Sequence, residues 1–221
     1  GGTYTRSQEK GTSEEDSGSN SYYTILNHGT MTINEGVTVN QGENGAGKFS
    51  SLIENGWYNG NNNTGGELSV MTINGGTFSG GLNTIKNDDY GELTIKGGTF
   101  NSDEIDNFGT IEGGTFSGKI LSRGVIAGGA FSSTSSVTSN DEDTTTGGGT
   151  ISGGTFDGTV TNGDPDPDYN NAVLTGGTFN GSVTNHGTIA GGTFLSDVTN
   201  RGVIEGGIFE NVISDQGGTV T

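Results

Sequence analysis

The sequence predicts an all-β fold, a single-stranded parallel β-helix (β-solenoid), and three observations point to it. The motif Gly-Gly-Thr-Phe, or a near variant, ends at Phe78, Phe100, Phe116, Phe131, Phe156, Phe179, Phe194 and Phe209, with the closest copies 15 residues apart. Between copies, apolar and polar residues alternate. Glycine supplies 45 of 221 residues, hydrophobic residues only 27%, and the formal net charge is −18. Such a composition leans towards disorder unless copies of one unit stack and share a thin core.

One short copy, GGTFNGSVTNHGTIA (residues 176–190), justifies each element in turn. Phe179, Gly181, Val183, Asn185, Gly187 and Ile189 alternate with Thr178, Asn180, Ser182, Thr184, His186 and Thr188, which is the period of a strand. Between Ile189 and Phe194 the parity flips, and it flips at Gly191-Gly192. Glycine turns tightly without a Cβ penalty, so the pair predicts a corner that keeps both Ile and Phe inward. Repeated along the chain, the unit predicts about nine coils of 15 or more residues, right-handed, hydrogen-bonded in parallel at about 4.8 Å and roughly 45 Å long in all. Residues 1–221 form one elongated domain in this reading. Residues 5–20 are a polar insertion or lead-in, and residues 217–221 are the start of a truncated coil.

An inward Asn follows the inward aliphatic at Asn27, Asn55, Asn87, Asn107, Asn140, Asn162, Asn185 and Asn200, with Ser122 filling in once. Stacked side-chain amides pass hydrogen bonds up such a row and satisfy polar groups at a turn, which predicts a structural ladder. The next position holds His28, Phe108, Arg123 and His186 and faces outward by parity. An exposed corner is expected there.

Extra residues follow the ladder position after Asn55, Asn87, Asn140 and Asn162, so one corner takes most of the growth. Loops leaving one corner of successive coils lie along one edge of the rod, and that edge is the expected functional surface. It carries the ligand-binding candidates Trp57, Tyr58, Asp141, Asp143 and Tyr169. Aromatic rings there can stack on sugars while carboxylates bond hydroxyls, or they can pack the loops onto the coils. Asp164, Asp166 and Asp168 alternate with prolines, and oxygen ligands at alternate positions suit Ca²⁺, although the EF-hand glycine and distal Glu are missing.

On these residues the chain resembles the Gly-Gly-Thr-Phe-rich parallel β-helix segments of bacterial adhesin-like cell-surface proteins, especially of Gram-positive gut bacteria. The resemblance implies an extracellular chain, secreted or cell-wall attached through regions outside it, with a structural and adhesive role towards a glycan or a surface protein. Solenoids of this kind also serve as passive stalks and, at times, as polysaccharide-degrading enzymes.

Catalytic residues are poorly supplied. With no Cys, two His and eight Lys plus Arg, thiol nucleophiles, triads and His-rich zinc sites lack their parts. No enzyme activity is expected, and no catalytic residue is assigned. Outward Thr residues recur beside the Phe, at Thr77, Thr99, Thr115, Thr155, Thr178 and Thr193, but their neighbours vary too much for an ice-binding face. A sequence pI near 4.1 argues against nucleic acid. No stretch approaches the roughly 20 apolar residues of a membrane span, so no membrane insertion is expected.

Overall fold

The computed structural model describes residues 1–6, 22–41, 50–57, 67–81, 83–87, 90–139, 148–166 and 170–221. Every element among them is a β-strand, and every strand pairing is parallel. One sheet has 10 strands and the other 18. The larger sheet contains two faces of the rod, because strands Thr99–Asn107 and Thr115–Ser122 run unbroken from one face onto the next. Three faces result, named here for their inward residues. The Phe face holds strands such as Thr178–Phe179, the Asn face those such as Val183–Asn185, and the Ile face those such as Thr188–Ile189.

The inward positions are those the alternation predicts. Val183 and Asn185 are buried in strand Val183–Asn185 while Thr184 between them is partly exposed. From Phe78 to Phe209 the phenylalanines form one column, with adjacent ring centroids 4.6 to 5.0 Å apart. Strand spacing imposes that distance, and it falls within the range of offset aromatic stacking. Aliphatic columns such as Ile111, Ile126, Ile151, Leu174, Ile189 and Ile204 complete a core one side chain thick.

The two corner glycines do different work. Gly177 has φ of 104°, and a Cβ there would sit 3.3 Å from the Phe179 ring. Gly176 has an ordinary φ, but a Cβ would lie 2.4 Å from the Ser152 carbonyl oxygen of the preceding coil. One glycine makes the bend, and the other lets two backbones meet.

Three expectations need correction. Each coil contributes one strand to the 10-stranded Ile-face sheet, so the coils number ten and not about nine. Motif counting missed the first two because Tyr4 and Val39 occupy the Phe column there. Strand Gly2–Arg6 belongs to the first of them, so the chain is regular through Arg6 and the polar insertion begins after it. At the other end, Gly217-Gly218-Thr219-Val220 resembles the Phe-face corner, yet Thr219 and Val220 pair with Val203 and Ile204 on the Ile face. Residues 217–221 therefore finish the tenth coil and do not start another.

Candidate functional site

The corner between the Asn and Ile faces is built on the ladder. Asn185 accepts from Asn162 Nδ2 at 2.8 Å through its Oδ1 and donates from Nδ2 to Asn200 Oδ1 at 2.9 Å. Its Nδ2 also reaches the Gly187 and Val203 carbonyls, both at 3.2 Å. The amide is satisfied on both sides and holds the turn shut. Equivalent bonds join Asn27 to Asn55 and Asn55 to Asn87, each at 2.7 Å, and Asn200 to Asp215 at 3.0 Å.

In the middle of the rod the ladder departs from the expected rungs. Ser139, not Asn140, pairs with Ser122 on one side and Asn162 on the other, and it is fully buried. The physical reason is parity. Val137 must face inward opposite Ile120 and Val160, and placing Asn140 on the rung would turn it out. Asn140 itself lies outside the described residues. Two serines in succession are too short to pass the bond on, and Ser139 Oγ and Asn162 Oδ1 are buried with no hydrogen-bond partner among the described residues.

Outside the ladder, the next slot is mixed. His28 is exposed and stacks on Trp57, ring centroids 3.6 Å apart and planes 15° from parallel. Phe108 carries the Arg123 guanidinium 4.6 Å above its ring, and Arg123 pairs with Asp106 at 3.1 Å. His186 breaks the expectation of an exposed corner, being only 8% exposed. Burial holds its imidazole pKa below the ordinary 6.5, Arg201 adds to that shift, and Asp164 opposes it.

Among the predicted site residues, Trp57 is half-buried, with its indole N–H donating to the Glu67 carbonyl at 2.9 Å. Its indole N–H is therefore committed to the backbone at Glu67. Asp164 accepts the Asp166 backbone N–H at 2.8 Å, a local turn that occupies one carboxylate oxygen. Among the described residues no group of three or more His, Cys, Asp or Glu is placed to hold a metal. Tyr58, Asp141, Asp143, Asp168 and Tyr169 lie outside the described residues.

The insertions at 56–68, 88–90, 140–149 and 163–172 all connect an Asn-face strand to an Ile-face strand, as the common corner requires. Residues 7–21 and 42–49 connect Phe-face to Asn-face strands, so a second corner carries the growth in the first coils. The sequence reading missed two site candidates, Tyr90 and Phe108. Both are exposed aromatics at the Asn/Ile corner. Phe108 was signalled by a large apolar residue in a slot otherwise polar, and Tyr90 by its place in the short insertion after Asn87.

Comparison with family models, with curated proteins and with solved structures gave no match.

Proposed function

We propose that this chain is an extracellular structural and adhesive module of a bacterial surface protein, a rod whose loop-bearing corner meets a glycan or another surface. The observation that supports this reading most is the gathering of four insertions, with the chain's one Trp, at the same corner of the second, third, sixth and seventh coils. A rigid stack of parallel coils fixes the relative positions of loops far apart in sequence, and this is how repeat scaffolds make extended binding surfaces.

The test is a glycan array probed with the intact chain and with Trp57→Ala. Specific binding that falls in the variant is the expected result. Silence across the array, with the chain folded, would identify the rod as a spacer without a ligand. That rival draws its support from the contacts of Trp57 with His28 and Glu67, which hold the indole against the protein itself as a purely structural corner would require.

A further inference from the structure

The exposed large apolar side chains of this rod are unevenly distributed. Among the described residues, apart from Tyr4, Leu195 and those in the last coil, they are Leu26, Leu68, Tyr90, Phe108 and Val125, between 37% and 54% exposed. All five flank one corner, the Asn/Ile corner, on successive coils from the first to the fifth. The His28–Trp57 stack and Arg123 above Phe108 belong to the same edge. Further along, that edge turns polar, with Asp164, buried His186, and Arg201 bonded to Gln216 at 2.7 Å.

Tyr90 adds an independent sign. Among the described residues it is the one non-glycine with positive φ, 59°, and it is 46% exposed. A bulky side chain held in the left-handed region is unfavourable where glycine would be free of cost. Nothing in the core asks for this ring, because it points out of it. Strain at an exposed aromatic is a mark of function.

We propose that this ridge, centred on Trp57, Tyr90 and Phe108, binds an extended, uncharged polysaccharide strand lying along the rod axis. The inference rests on the adhesive reading and names its ligand class. Aromatic faces suit the C–H faces of pyranose rings, and a β-linked pyranose chain advances per sugar by nearly the same step as the coils, about 4.8 Å. Glu92, Thr94 and Thr110 beside the ridge supply hydrogen-bonding groups for hydroxyls. The net charge of −18 opposes uronate or sulfated chains, and Arg123 already faces Asp106. A protein partner of ordinary affinity needs about 800 Å² of surface on each side. Trp57, Tyr90 and Phe108 follow one another on the second, third and fourth coils, a linear arrangement that matches a strand better.

The test uses cellohexaose and mannohexaose as probes on the intact chain. Trp57 is the one Trp, so its fluorescence reports the ridge alone, and calorimetry gives the affinity. Saturable binding with a change in Trp57 emission is expected, weakened about tenfold in a Tyr90→Gly, Phe108→Ala double variant. Tyr90→Gly by itself should leave Tm unchanged or raise it, which separates the binding role from a structural one. A hexagalacturonate control should not bind. The proposal is overturned if neither hexasaccharide gives heat or an emission change at millimolar concentration, if the double variant binds as well as the native chain, or if the anionic control binds equally. Array binding that survives the double variant would remove the ridge and leave the adhesive reading standing. An array silent towards the native chain would remove both.

Discussion

Phe156 sits between Phe131 and Phe179, ring centroids 4.6 and 5.0 Å away, and is fully buried. Replacing it with Ala empties one level of a core only one side chain thick, where neighbours held by strand spacing cannot collapse inward. Phe156→Ala should cost about 3–5 kcal/mol in urea unfolding. Phe209, half-buried in the last coil, should cost clearly less. His186 makes a different prediction. Its folded pKa is depressed below 6.5, so the unfolded chain binds the proton more readily. Its contribution to stability is therefore present above pH 6.5 and is lost as pH falls through that value towards the folded pKa. His186→Gln should flatten the fall in Tm between about pH 7 and 5, the range in which an unperturbed His titrates. Equal slopes in both proteins would contradict it.

Among the repeated elements, the corner rungs are the most legible and also the most instructive where legibility fails. Asn27, Asn55, Asn87, Asn107, Asn162, Asn185 and Asn200 lie where the alternation places them, because each follows an inward aliphatic at strand parity. Asn140 misled because residue type was matched and parity was not, and Val137 decides the parity. The resulting weak point is specific. Ser139→Asn would let an amide donate to the orphaned Asn162 Oδ1 and accept from Ser122, as Asn185 does between its neighbours. A gain of about 1 kcal/mol in denaturant unfolding is expected; destabilisation would mean the corner at Gly149 cannot admit the larger side chain.

Across the whole molecule, each coil touches only its neighbours, so stability is close to a sum of coil and interface terms and the ends are the least supported. Val220 in the last coil is 57% exposed, whereas its counterparts Ile204 and Ile189 in the coils before it are buried. Amide exchange should accordingly be slowest in the strands between residues 99 and 200 and fastest in strand Thr219–Val220. Uniform exchange along the rod would show that the chain unfolds as one unit. The uneven edge is also a whole-molecule property, with an apolar and aromatic ridge on the first to fifth coils and polar side chains beyond.

By itself the sequence determined the unit: strand parity, a glycine pair at one corner, a column of Phe, an amide rung at another corner, and parallel stacking. These are local or strictly periodic, and one short copy contains all of them. The tertiary structure decided what breaks the period. Tyr4 and Val39 enter the Phe column only because their strands pair with it, Ser139 takes the rung from Asn140, His186 is buried at a slot that parity points outward, and Tyr90 and Phe108 come to one edge across separate coils. Pairing, loop cover and exposure are relations through space between residues distant along the chain, and no window of the sequence encodes them.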